Sequence, residues 1–165
     1  MKKVVKISFS VLFLLGGVYL LFPLPAFPQK PDGALESNEP ADTESPFRKA
    51  YFTNLTREEI MEHYDGQFSG LLSFRLDQRR EDAYAVIRDQ TPSSYLEEII
   101  QPGKGSFYIN VYVPDKPTDQ INRNGIHYLN KVTINYIPSQ LVGRLTVWLL
   151  VAGMGYLMLK EYAQV

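Results

Sequence analysis

From Ile126 to Lys160 the chain reads IHYLNKVTINYIPSQLVGRLTVWLLVAGMGYLMLK, and two different periods meet inside it. Up to Ile137, Val132, Ile134 and Tyr136 alternate with Lys131, Thr133 and Asn135, the two-residue repeat of a strand with one buried face. Past Pro138 the alternation ends. Leu141 to Leu159 is apolar except for Arg144 in its first turn. As a helix such a segment rises roughly 28 Å, close to the ~30 Å hydrocarbon core of a bilayer. A strand running straight into it predicts a small domain, residues 47–138, held by a transmembrane helix over 139–160, with 161–165 as a short tail. Lys160 and Glu161 close the span, Tyr156 and Tyr162 fall where an aromatic belt lies, and Arg144 is near enough to its end to snorkel.

The other end of the chain repeats the pattern. Val4 to Phe22 is apolar apart from Lys6 and a few small or hydroxylated residues, and Pro23 and Pro25 stop it. Residues 1–22 are therefore expected to be a second anchor. A cleaved signal peptide is the alternative, but Leu24 is large for the position three before a cut at Ala26, and the apolar run exceeds a usual signal core. Lys2, Lys3, Lys6 and Lys160 flank the spans on one side, against Lys30 and Lys131 on the other. The excess places both termini in the cytoplasm and the central domain outside it. Gly16-Gly17 in the first span and Ala152, Gly153 and Gly155 in the second allow close helix approach, and Trp148 lies well inside its span.

The 165 residues suffice for about one domain. A mean hydropathy of -0.17 conceals the segregation of apolar residues to the ends. A net charge of -1 gives no electrostatic reason to expect nucleic acid as a partner. With no cysteine, disulfides, thiolate metal sites and cysteine nucleophiles are excluded.

Residues 23–46 carry Pro23, Pro25, Pro28, Pro31, Pro40 and Pro46 among Asp32, Glu36, Glu39, Asp42 and Glu44. Mutually repelling carboxylates and missing backbone donors predict a spacer that is extended or disordered. Beyond it, Thr56 and Glu59 form a capping box with Leu55 and Ile60 as its hydrophobic staple; Ile60, Tyr64 and Phe68 share a face, and Gly66 is a natural stop. Leu72, Phe74 and Leu76 predict a half-buried strand, and Arg79 to Asp89 a second helix. Ser94 with Glu97 predicts the cap of a third helix carrying Tyr95, Leu96, Ile99 and Ile100, ended by Pro102 and Gly103. Ser106 to Val113 and Ile126 to Ile137 alternate as strands, and Asn124-Gly125 marks a hairpin beginning near Ile121. The expected class is α+β: a small, mostly antiparallel sheet with helices on one face, flanked by an N-terminal and a C-terminal transmembrane helix.

No motif names a catalytic, cofactor-binding or metal-binding residue. Glu59 and His63 stand one helical turn apart, half of a metal site without a third ligand, and an acid–histidine pair on a solvated face accounts for them. His127 reads as a flanking polar residue of a strand. Ser69-Gly70 lacks the surroundings of a serine nucleophile, and Gly103-Lys104-Gly105 lacks phosphate-loop spacing. Asp65, Asp77, Glu81 and Asp82 are carboxylates without a catalytic pattern, and the acids among them offset Arg75, Arg79 and Arg80. Asn54-Leu55-Thr56 is a glycosylation sequon that also begins a helix. Topology without chemistry points to an extracytoplasmic interaction or assembly module whose partners are the bilayer and another membrane or envelope protein. The alternatives are a membrane-tethered small hydrolase and a sensor or channel-like oligomeric subunit.

Overall fold

A computed structural model describes residues 2–68, 72–78 and 94–164. It divides into two units, Met1–Leu24 with Pro138–Val165 and, between them, Pro25–Ile137.

The terminal unit consists of helices α1 (Lys2–Leu21) and α3 (Leu141–Gln164). Both are long and apolar enough to cross a membrane by length and composition. They meet through large rings set on small residues. The Trp148 ring lies over Gly16, where a Cβ atom would come within 2.3 Å of it, and Phe9 lies over Gly155, where a Cβ atom would be 2.8 Å away. The two contacts are seven residues apart on each helix, in opposite directions along the chain, as two antiparallel helices packed along a heptad seam require. Phe13 stacks on Trp148 with ring centroids 5.7 Å apart. Backbones approach at glycine because nothing else leaves room for an indole.

The central unit is built on a six-stranded antiparallel sheet. Its strands are β1 (Leu35–Glu36), β2 (Arg48–Thr53), β3 (Phe74–Asp77), β4 (Tyr95–Gln101), β5 (Gly105–Tyr112) and β8 (Asn130–Pro138). They lie in the order β1-β2-β8-β5-β4-β3, and β6 (Ile121–Arg123) and β7 (Ile126–Tyr128) form a separate hairpin. Asn124 (φ 53) and Gly125 (φ 76) are both left-handed, as a two-residue type I′ turn demands, so the Asn-Gly signal acts as expected.

Helix α2 (Arg57–Phe68) covers one face of the sheet. Its start is the expected capping box: the Thr56 amide donates to Glu59 Oε2 (2.8 Å) and the Glu59 amide to Thr56 Oγ1 (3.3 Å). Ile60, Met61, Tyr64 and Phe68 are buried against Phe107, Ile109, Val111, Val132, Ile134 and Tyr136, the inward residues of β5 and β8. Phe68 stacks on Phe107 at 4.1 Å, and that contact carries the helix two residues past Gly66, the expected stop. On the opposite face a smaller cluster joins Phe52, Ile121 and Tyr128.

Four expectations change. The helix expected from Ser94 is strand β4. Its backbone pairs with β5 through all seven residues and with β3 through four, and Leu96, Glu97, Glu98 and Ile99 are all buried, so it has no solvated face for a surface helix to present. The strand near Leu76 exists but is not half-buried: it is a sheet edge with all four residues exposed, Phe74 at 49 % and Leu76 at 42 %. The strand from Ile126 to Ile137 is two strands, because Asn54 Oδ1 takes the Leu129 N–H (2.8 Å) and turns the chain between β7 and β8. The spacer is folded where it counts most. Ala34, Ser37 and Asp42 are buried, Leu35 and Glu36 pair with Phe52 and Tyr51, and Phe27 packs on the main core. Its carboxylates find cations in place of one another: Glu36 meets Lys49 at 3.0 Å, and Lys131 bridges Glu39 (2.6 Å) and Asp42 (2.8 Å). Of the three helices expected in the domain, α2 alone is described, and Arg79 to Asp89 lies outside the described residues.

Candidate functional site

A groove of about 810 Å³ opens between α2 and the β3–β4 edge of the sheet. The helix contributes Arg57, Met61 and Asp65 from one row of side chains and Glu58, Glu62 and Gly66 from the next, four apart as helical geometry places them. The sheet contributes Arg75, Asp77 and Glu97, and Asp77 sits directly opposite Glu97 in the β3–β4 register.

Glu97 is the centre of the site. Its side chain is 3 % exposed, and each oxygen has an arginine: Oε1 is 2.7 Å from Arg57 Nη2, and Oε2 is 3.0 Å from Arg75 Nε. Each arginine reaches outward to a second acid, Arg57 to Asp77 at 3.3 Å and Arg75 to Asp65 at 2.9 Å. The result is a five-membered chain of alternating charge, with its middle dry and both ends wet. A carboxylate taken from water is tolerated when its lone pairs are met this way. Burial works against the Arg57 charge, but hydrogen bonds and attraction from Glu97 and then Asp77 raise its pKa above the ordinary value. Its guanidinium also lies 4.3 Å above the Tyr95 ring. Burial pushes the Tyr95 hydroxyl up, and Arg57 opposes that shift.

Glu58 and Glu62 are exposed and stand outside the chain of pairs. Among the described residues the groove carries five carboxylates against two guanidinium groups, an excess suited to a cationic surface. Phe74 and Leu76 flank it on the sheet edge, open to water. Charge and apolar surface side by side on an edge strand are features of protein docking sites.

Residues singled out in the sequence fall differently. Glu59 serves the helix cap, while His63 Nε2 lies 3.0 Å from the Gln29 carbonyl and 2.8 Å from Gln67, so the two do not converge on a metal. Among the described residues no three His, Asp or Glu side chains are grouped to hold one. His127 Nδ1 is 3.2 Å from Asn122 Oδ1 across the β6–β7 hairpin and lines a smaller pocket of about 280 Å³. Asp65, Arg75 and Asp77 are drawn together into the groove; Arg79, Arg80, Glu81, Asp82, Ser69 and Gly70 lie outside the described residues. Lys104 belongs to the turn between β4 and β5. The sequence does not point to Arg57, or to Glu97 as a buried acid. The one available signal is Glu97-Glu98 set between Leu96 and Ile99-Ile100, a charge pair inside an apolar run.

Comparison with protein-family models, with curated proteins and with solved structures finds no match for this chain.

Proposed function

We propose that the chain is a membrane-anchored interaction module: α1 and α3 cross a bilayer, and the central domain lies outside the cytoplasm and holds a partner protein of the membrane or envelope. What carries this is the state of the two terminal helices. Only 6 % of either apolar window is buried, which speaks against the core helix of a soluble fold and supports lipid as the surroundings of both. Lys2, Lys3, Lys6 and Lys160 support an orientation with both termini in the cytoplasm. The groove supplies the binding surface, with its exposed acids and the exposed side chains of β3.

The test is purification of the full chain from membranes in mild detergent, followed by identification of what stays bound. A stoichiometric partner is expected, released by the double charge reversal Glu58→Lys, Glu62→Lys. Full-length protein that remains monodisperse in the supernatant without detergent would overturn the reading, as would a detergent-solubilised chain that holds nothing.

A second reading, a tethered hydrolase, draws on the same groove because carboxylates and arginines converge there. Against it stands the engagement of Glu97, Asp65 and Asp77 in ion pairs with Arg57 and Arg75. Turnover abolished by Asp65→Asn or Asp77→Asn, with the fold intact, would favour this reading over the first.

A further inference from the structure

The β6–β7 hairpin ends in Asn124-Gly125, both left-handed and both exposed. The Arg123–Ile126 pair closes this two-residue tip, so the ladder bonds belong to those flanking residues. Among the described residues neither the Gly125 amide nor the Asn124 side chain has a hydrogen-bond partner. A free carboxamide is thus followed directly by a backbone nitrogen with no side chain beside it. Nothing stands within 4 Å of a Cβ position at Gly125, so water and base reach that nitrogen. Each of the other six asparagines precedes a residue whose side chain crowds its own nitrogen.

The hairpin holds its tip weakly. It is a sheet of two strands with three residue pairs, a size that is marginal by itself. Ile121 and Tyr128 at its base pack on Phe52, whereas residues 122–127 are exposed. The ion pair of Arg123 with Glu39 and the approach of His127 Nδ1 to Asn122 Oδ1, at 3.2 Å, lie in solvent as well. Segments secured by so little buried surface open locally far more often than a whole domain unfolds.

We propose that Asn124 is a site of spontaneous deamidation, through a succinimide formed with the Gly125 nitrogen while the hairpin is open. Base takes the proton of the Gly125 amide, the nitrogen attacks Cγ of Asn124, and the carboxamide C–N bond breaks to release ammonia. Water then opens the five-membered ring at either carbonyl. Opening at Cγ leaves aspartate; opening at the main-chain carbonyl leaves isoaspartate, with the backbone routed through the side chain. One water enters, one ammonia leaves, and no other reagent is needed. The ring holds the Asn124 backbone outside the left-handed region, so the native turn must come apart before the ring forms. Isoaspartate adds one carbon to the tip, and the register of Arg123 on Ile126 does not fit that longer path. Either product sets a carboxylate beside Arg123, in competition with Glu39 for the guanidinium. The inference stands apart from the bilayer reading of α1 and α3.

The full chain in maltoside detergent is incubated at mildly alkaline pH, folded and, in parallel, in strong urea. It is then digested, and the peptides are weighed, with electron-transfer fragmentation to tell aspartate from isoaspartate. In the folded chain Asn124 should be converted to both, with isoaspartate in excess, while the other six asparagines keep their amides; urea should hasten the conversion. Gly125→Asn tolerates the left-handed turn and puts a side chain on the nucleophile, so conversion at residue 124 should fall several-fold. Tyr128→Ala loosens the base of the hairpin and should raise the folded rate about tenfold or more, toward the urea value. An Asn124 that keeps its amide in the folded chain, after the unfolded chain has been converted, overturns the proposal, because the turn then protects it. Aspartate without isoaspartate overturns it too, since that is direct hydrolysis, and so does an undiminished rate in Gly125→Asn. A folded rate unmoved by Tyr128→Ala overturns the route through the open hairpin. Should Tyr128→Ala fail to fold, the folded and urea arms of the unaltered chain still decide.

Discussion

The central domain is knit by paired charges, and the terminal helix pair by the fit of large rings on small residues. In the domain, Glu97 is met by Arg57 and Arg75, which are met in turn by Asp77 and Asp65. On the β2–β8 side of the same sheet the signs reverse, with Lys131 between Glu39 and Asp42, and Ser37 Oγ donating to Asp42 at 2.6 Å. Every one of these counter-charges comes from the chain itself. In the helix pair the cohesion is steric, Trp148 on Gly16 and Phe9 on Gly155. A sheet that buries a carboxylate must bring its own counter-ions to it, whereas a pair of apolar helices is held by the fit of large side chains on small ones.

Removing the centre of the domain's network should erase that contrast with the largest effect. Glu97→Ala leaves two arginines facing each other across a dry gap, and about 3 kcal/mol of stability should be lost, the low end for a broken buried pair because both arginines are partly solvated. Urea unfolding of the full chain in detergent, followed by circular dichroism, measures it; a loss within 0.5 kcal/mol, roughly the level of an ordinary surface change, would mean the network is ornamental.

Gly16→Leu attacks the other half. A Cβ atom already falls 2.3 Å from the indole, so the larger side chain must displace Trp148, at about 2–3 kcal/mol. Because Trp148 is the single tryptophan, a shifted emission maximum with an unchanged domain would show the two units to be independent.

Alkaline pH should act on the domain. Burial first, and then Glu36, push the Tyr51 hydroxyl from 10.0 up to about 12. The folded state then holds a proton that the unfolded state releases, so this contribution is complete below pH 10 and falls away as pH rises toward 12. Tyr51 should account for about 2 kcal/mol of the loss across that window by linkage; buried Tyr64 and Tyr95, also pushed up, add to it, so Tyr51→Phe should make the slope shallower by its share without abolishing it. Unfolding midpoints taken through the window give the answer.

The smallest effect is a gain. Gly66 lies in α2 with nothing within 4 Å of a Cβ position, and Gly66→Ala should add about 0.5–1 kcal/mol by restricting the unfolded chain. A thermal midpoint raised by a few degrees would show that this helical wall of the groove needs no glycine; a lowered one would mean that the backbone there is strained.

Legibility in the sequence followed the range of the interactions. The capping box at Thr56, the Asn124-Gly125 turn, the alternation of Phe107, Ile109 and Val111 and the two apolar runs are written within a few residues, and each appears where expected. Ser94 to Ile100 misled because a capping pair and four apolar residues fit a helix locally, while the choice was made by β5 and β3 on either side. The acidic segment before Pro46 misled for a related reason. Its carboxylates repel one another in a bare chain, and the lysines that neutralise them, Lys49 and Lys131, stand 13 residues from Glu36 and 92 from Glu39. The groove was the least legible feature, since Arg57, Arg75 and Glu97 come from three separate elements and share no motif.

Composition and period by themselves determined that the chain has two apolar ends, alternating strands after Ser106 and after Lys131, and a helix beginning at Thr56. Those properties depend on how a residue meets water or its near neighbours. Only the tertiary structure decided that Glu97 would be buried between two arginines and that the acidic segment would fold onto the sheet. Each is a matter of which distant group reaches a charge once the backbone is in place, and that distance is not written in any local stretch of sequence.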